Sequence, residues 1–182
     1  MKVLALVGSL RKGSYNKLAL RAAMELKPAG MQIQHAEIGD LPLYDDDIRE
    51  QGYPAPVRRL RAEIAAADAL LFVTPEYNYS VPGVLKNAID WASRPPDHPL
   101  NGKPAAIMGA STGRLGTARA QYHLRQMCVF VNVYPLNQPE VMIAGAGQAF
   151  DASGKLVDEG ARKLIGHMLM KLEAWTLQLK KK

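Results

Sequence analysis

A doubly wound α/β fold, a parallel sheet with helices on both faces, is what this sequence predicts, and three observations predict it. Apolar strand-like runs alternate with helix-length amphipathic segments almost to the end of the chain. Several of these runs are continuously apolar, as strands buried on both faces are. Leu70-Leu71-Phe72-Val73 and Ala105-Ala106-Ile107-Met108 are the clearest. The length of 182 residues suits one domain, 1–182, with a full core.

The elements follow in order. Val3-Leu4-Ala5-Leu6-Val7 predicts a buried strand over 2–7, and the segment from Lys17 to Leu26 predicts a helix over 16–27. A second strand is predicted at 31–37, then a longer loop at 39–54 rich in Pro, Gly and Asp. A helix at 55–67 leads into a strand at 69–74. The next helix is predicted at 82–93; Pro82 suits its first turn and Ser80 is placed to cap it. A strand at 104–109 and a helix at 115–127 precede a fifth strand, at 131–134 or at 139–143. The last helix, 156–179, carries Ala161, Leu164, Ile165, Met168, Leu172, Trp175 and Leu179 as a core-facing stripe. Its lysine tail, Lys180 to Lys182, suits a helix C-terminus. Five strands of this kind match the flavodoxin-like three-layer sandwich, a five-stranded parallel sheet whose ligand sits at the carboxyl ends of the strands.

Composition narrows the function classes. Apolar residues at 48% and charged residues at 22% are ordinary globular values. No apolar run reaches the length of a membrane span, and the chain starts directly as a strand without a signal-peptide pattern. A soluble cytoplasmic protein is expected. The single Cys128 lies in an apolar stretch and reads as a buried, inert thiol. The net charge of +6 does not indicate nucleic acid, because no basic stripe alternates with aromatics. A basic surface instead favours anionic small molecules. Asp45-Asp46-Asp47 reads as a solvated turn, and the four histidines lack metal-ligand spacing.

Three loops should meet at one end of the sheet. The first, Gly8-Ser9-Leu10-Arg11-Lys12-Gly13-Ser14-Tyr15-Asn16, joins a strand to a helix N-terminus. Unpaired helix N–H groups, the helix dipole, the short donors of Ser9, Ser14 and Asn16, and the charge of Arg11 together make a site for one phosphate. The plainer reading is a turn in which Ser14 or Asn16 only caps the helix. Neither the G-x-G-x-x-G nor the P-loop pattern is present. The second loop, Thr74 to Gly83, holds two tyrosines, an amide, a carboxylate and two prolines, and suits the edge of a planar heterocycle. The third, Gly109 to Gly116, is small and polar, so a flat ligand can approach its backbone.

The chain resembles the NAD(P)H-dependent FMN reductase family, the flavodoxin-like group of quinone, azo-dye and chromate reductases. The resemblance rests on G-S-L-R-K-G-S-Y-N at 8–16, P-E-Y-N-Y-S-V-P-G-V-L-K-N-A-I-D-W at 75–91 and G-A-S-T-G-R-L-G-T-A-R at 109–119. It implies that Ser9, Arg11, Ser14 and Asn16 hold the FMN phosphate. Pro75, Glu76, Tyr77 and Asn78 would hold the isoalloxazine edge, and Ser111, Thr112 and Gly113 would line its other side. It implies NADPH or NADH as hydride donor, a small-molecule electron acceptor (quinone, azo compound, chromate or free flavin), and a homodimer or homotetramer. The flavin N5 carries the hydride, so no catalytic acid or base is assigned; Tyr79 and Arg114 are placed to touch the nicotinamide nucleotide.

Two other readings compete. A flavodoxin-type electron carrier would share fold and cofactor, but such carriers are usually acidic and this chain is basic. A serine hydrolase would use Ser111, since Gly109-Ala110-Ser111-Thr112-Gly113 matches the nucleophile elbow, with Asp151 or Asp158 and then His167 in the required order. Against it, His167 falls inside a predicted helix and no oxyanion segment is present. On the helix at 115–127, Arg119, Tyr122 and Arg125 share a face, either solvated or in a polar oligomer contact with Glu140.

Overall fold

Alternate side chains of each central strand enter two separate cores. A computed structural model describes residues 1–181; Lys182, the end of the lysine tail, lies outside the described residues. In strand β1 (Lys2–Val7), Val3, Ala5 and Val7 point to one face and Leu4 and Leu6 to the other. Strand β3 (Ala69–Val73) divides in the same way, with Ala69, Leu71 and Val73 opposite Leu70 and Phe72. This two-sided burial is why these strands read as unbroken apolar runs.

One face is covered by α1 (Tyr15–Leu26) and α7 (Glu159–Leu179), the other by α3 (Ala55–Ala66), α4 (Gly83–Ala92) and α5 (Ala118–Phe130). With β2 (Gln32–Ala36) and β4 (Pro104–Ala110), the sheet runs β2-β1-β3-β4-β5, every pair parallel. This is the flavodoxin-like order, with its switch point between β1 and β3.

The fifth strand corrects the either-or expectation. Both segments form: β5 (Tyr134–Pro135) pairs with the start of β4, and β6 (Val141–Ile143) pairs with its end. The intervening residues leave the edge, so one sheet position is filled by two short pieces. Two short helices were not expected, α2 (Asp46–Glu50) and α6 (Ala146–Ala149). In α2, Asp45 caps the first turn through Asp47 N–H at 2.9 Å, and Asp46 binds Arg49 and the Tyr44 hydroxyl. The three aspartates thus serve the helix and its flank. Helix α7 begins at Glu159 rather than 156, because Asp158 caps it at Ala161 N–H, 2.8 Å away. Leu164 of the expected stripe is exposed, while Leu169 and Thr176 are buried in its place.

The long loop at 39–54 is fastened to α4 by two side chains. Asn87 accepts from Tyr44 N–H and donates to Pro42 C=O, both at 2.8 Å. Trp91, fully buried, donates to the same Pro42 carbonyl. Trp175 is half-buried and donates to Tyr134 C=O.

Candidate active site

The carboxyl ends of β1, β3 and β4 bring the three loops together. A cleft of about 210 Å³ is lined by Ser9, Arg11, Ser14, Tyr15 and Asn16, by Pro75, Glu76 and Tyr77, and by Ala110, Ser111 and Thr112. Nine of the eleven sequence-derived positions lie in that lining. Asn78 stands one residue beyond it in a tight turn, and Gly113 stands beside it with its N–H on Ser111 Oγ at 3.1 Å. Tyr15 and Ala110 were not singled out from the sequence.

The loops can approach because two glycines allow it. A Cβ on Gly8 would sit 3.1 Å from Pro82 Cγ and 3.3 Å from Pro75 Cδ. A Cβ on Gly109 would fall 2.2 Å from both Thr74 O and Thr117 Oγ1, an impossible contact. Gly109→Ala is therefore expected to force the second and third loops apart and to destabilise the protein by about 1–3 kcal/mol. Thermal unfolding checks this; an unchanged melting temperature would contradict the contact.

The first loop is an open anion cup. Among the described residues, no backbone N–H from Ser9 to Tyr15 finds an acceptor within the chain. Ser9 is only 5% exposed, and its hydroxyl has no partner among the described residues. Ser14 caps α1, its Oγ accepting from Asn16 N–H at 3.2 Å and Lys17 N–H at 3.3 Å. That leaves the Ser14 hydroxyl proton free to donate outward, so cap and anion ligand are compatible. Arg11 is exposed at the rim.

Asn16 does something the sequence did not disclose. Its Nδ2 donates to Ala110 C=O and its Oδ1 accepts from Ala110 N–H, both at 2.9 Å and buried. The carboxamide acts as the peptide partner that β3 no longer supplies at the end of β4. Asn16 therefore builds the cup by tying α1 to the third loop, with one amide hydrogen left for a ligand.

Glu76 is likewise committed. Its Oε2 accepts from Arg119 N–H at 3.0 Å and Ala120 N–H at 3.2 Å, capping α5, where Thr117 makes no side-chain cap. Its Oε1 pairs with Arg119 Nη2 at 2.5 Å. The backbone of 75–77, rather than this carboxylate, is thus what Glu76 offers the cleft. Arg119 stacks its guanidinium 3.6 Å from the Tyr79 ring centroid, so it leaves the solvated face expected of it. Ser80 does not cap α4; Pro82 holds that position, and Ser80 Oγ lies 3.0 Å from His123 Nδ1.

The hydrolase constellation does not assemble. Ser111 Oγ accepts from Gly113 N–H, and Asp158 and Asp151 are bound to their own local N–H groups. His167 is exposed in the middle of α7. Cys128 is buried, and burial pushes its thiol up to about 12.

A flavodoxin-like sheet whose switch point carries an anion cup, a stiff aromatic turn and a small polar loop defines a mononucleotide-binding fold. Comparison with known proteins makes the assignment specific: residues 1–148 match the NADPH-dependent FMN reductase family, and the chain belongs to it. It is 61% identical over 180 residues to an NAD(P)H-dependent FMN reductase of Pseudomonas aeruginosa, covering 99% of this chain and 97% of that one. It is 46% identical over 178 residues to a quinone reductase of Escherichia coli, covering 96% of this chain and 93% of that one. Among solved structures it is similar to the flavoenzyme NAD(P)H:(acceptor) oxidoreductase FerB of Paracoccus denitrificans. That match has a TM-score of 0.89 and 38% identity, and it covers 97% of each chain. The chain is an FMN-dependent NAD(P)H oxidoreductase. Among the described residues no helix is long and apolar enough to cross a membrane.

Proposed function

We propose that this enzyme reduces quinones and related acceptors, azo compounds, chromate and free flavin among them, with electrons from NADPH or NADH. The observation that carries the assignment of its site is the convergence, in one cleft, of N–H donors that have no acceptor among the described residues with a rigid turn and a small-residue wall. Ser9, Ser14 and the free N–H groups of the first loop, up to Tyr15, hold the FMN phosphate, with Arg11 adding charge. The backbone of Pro75, Glu76, Tyr77 and Asn78 holds the ring edge, and Ser111, Thr112 and Gly113 form the facing wall, kept in place by Asn16. Bound FMN supplies the two-electron chemistry between nicotinamide and acceptor. The protein orients the reactants and fixes donors toward developing charge. Tyr79 and Arg114, both exposed beside the cleft, face the nicotinamide nucleotide.

The whole chain works as one FMN-binding unit in the cytoplasm, as a homodimer or homotetramer that binds no nucleic acid. The exposed outer face of α5 supports self-association: Phe130 is 85% exposed, Val129 nearly as much, and Tyr122 lies beside Glu140, which raises its hydroxyl pKa. The deciding experiment is the anaerobic visible spectrum of the FMN-loaded protein before and after NADPH or NADH, followed by 1,4-benzoquinone. Bleaching by a nicotinamide nucleotide and recovery on adding quinone is the expected result. A bound flavin that neither nucleotide bleaches would point to an electron carrier, and absence of flavin binding would overturn the site.

A further inference from the structure

The turn after β3 is strained, and its restraint comes from α5. Tyr77 and Ser80 exchange both backbone hydrogen bonds at 3.0 Å, closing a two-residue turn. Its central residues, Asn78 and Tyr79, lie at φ +50° and +66°. Asparagine tolerates that region, but a bulky tyrosine there is an outlier that must be held by its surroundings. Tyr79 is 67% exposed, so packing into the core does not hold it. Arg119 does: its guanidinium lies 3.6 Å from the Tyr79 ring centroid while its Nη2 binds Glu76 Oε1. One side chain thereby fixes both ends of the segment from the cleft wall at Glu76 to the outer side of the turn.

Resting on the reductase reading above, we infer that Arg119 is a positioning residue that acts through Tyr79 and sets how nicotinamide nucleotide and quinone dock at the rim. Arg119 touches neither the phosphate cup nor the facing loop, and Tyr77 keeps both backbone bonds to Ser80 without it, so its loss bears on Tyr79 at the outer side of the turn and not on the flavin contacts from Pro75 to Asn78. Glu76 keeps its two N–H donors at the start of α5 when Arg119 is truncated, so the helix stays capped. Without the cation the Tyr79 ring loses its fixed orientation and the outer rim becomes mobile, while the Tyr77–Ser80 backbone bonds keep the turn closed.

The test uses the FMN-loaded enzyme, with steady-state kinetics in NADPH and 1,4-benzoquinone and FMN affinity measured by flavin fluorescence quenching. Arg119→Ala is expected to raise both KM values about tenfold, about 1.4 kcal/mol, with kcat and FMN affinity within about threefold of wild type. Arg119→Lys keeps a cation over the ring and should bring KM back to within about threefold of wild type. Tyr79→Ala should reproduce the KM rise and Tyr79→Phe should not. In the Tyr79→Ala background, adding Arg119→Ala should change KM less than about twofold further, the mark of a shared pathway. The inference is overturned if Arg119→Ala or Tyr79→Ala leaves both KM values unchanged, or if the two effects multiply. Should Arg119→Ala not fold, the Tyr79 and Arg119→Lys variants decide alone. A wild type that binds no flavin would instead overturn the site reading itself.

Discussion

Asn16→Leu is expected to produce the largest loss of stability of any single conservative-volume change at the cleft. Asn16 is 3% exposed, and its carboxamide satisfies both the N–H and the C=O of Ala110. Leucine fills the space but leaves two backbone groups without partners where water does not replace them. Each orphaned buried group costs about 1–3 kcal/mol, so the variant should lose about 2–6 kcal/mol. At this chain length that corresponds to a fall in melting temperature of about 4–24 °C. Flavin should suffer as well, because Ser111 and Thr112 follow directly on Ala110 and lose their anchor to α1. FMN affinity should fall at least about tenfold. Thermal unfolding of the flavin-free protein isolates the first effect, and fluorescence titration with FMN the second. A melting temperature within a degree of wild type would show that the Ala110 groups have another partner. Asn16→Asp gives an internal comparison: it keeps the acceptor for Ala110 N–H but sets an oxygen against Ala110 C=O, so it should also destabilise.

The switch-point loops were legible because each combines a strand end with residues of restricted conformation or short polar reach: Gly8 with Ser9 and Ser14, Pro75 with Pro82, Gly109 with Ser111. Their convergence followed from the alternation of strands and helices alone. The partners of the side chains were not legible, since they are set by tertiary distance. Asn16 lies 94 residues from Ala110, and Glu76 lies 43 residues from the helix N-terminus it caps. A serine before a helix suggested a cap at both Ser14 and Ser80, and only Ser14 became one. At Ser80 the hairpin with Tyr77 took the backbone elsewhere.

Boundaries failed for related reasons. The helix expected at 115 starts at Ala118, because Gly116, at φ +58°, packs its Cα face against Met142, where a Cβ would be 3.0 Å from the backbone. The ambiguity between 131–134 and 139–143 was real: β4 is long enough to pair with both pieces, and neither alone spans it.

Ser9→Asp is expected to abolish the preference of the cleft for a phosphorylated flavin. Ser9 is a buried residue of the cup, and the backbone N–H groups from Ser9 to Tyr15 have no acceptor among the described residues. In the wild type those donors have no acceptor among the described residues, and on the proposed reading the phosphate of FMN supplies the missing charge. Charge-assisted hydrogen bonds contribute about 1.5–3 kcal/mol each. Two or three of them imply that FMN binds at least about a hundredfold more tightly than riboflavin, which lacks the phosphate. A carboxylate at position 9 satisfies the same donors from within and repels the incoming phosphate. FMN affinity should then fall to that of riboflavin, while riboflavin affinity changes little, because the ring contacts proposed for Pro75–Tyr77 and Ser111–Thr112 are untouched. Parallel calorimetric titrations of both proteins with FMN and riboflavin read this directly. Equal losses for the two ligands would mean that Ser9 supports the ring or the loop rather than the phosphate, and a retained FMN preference would place the phosphate elsewhere. Ser9→Ala separates charge from shape: removing only one donor should weaken FMN by about ten- to a hundredfold and leave riboflavin unaffected.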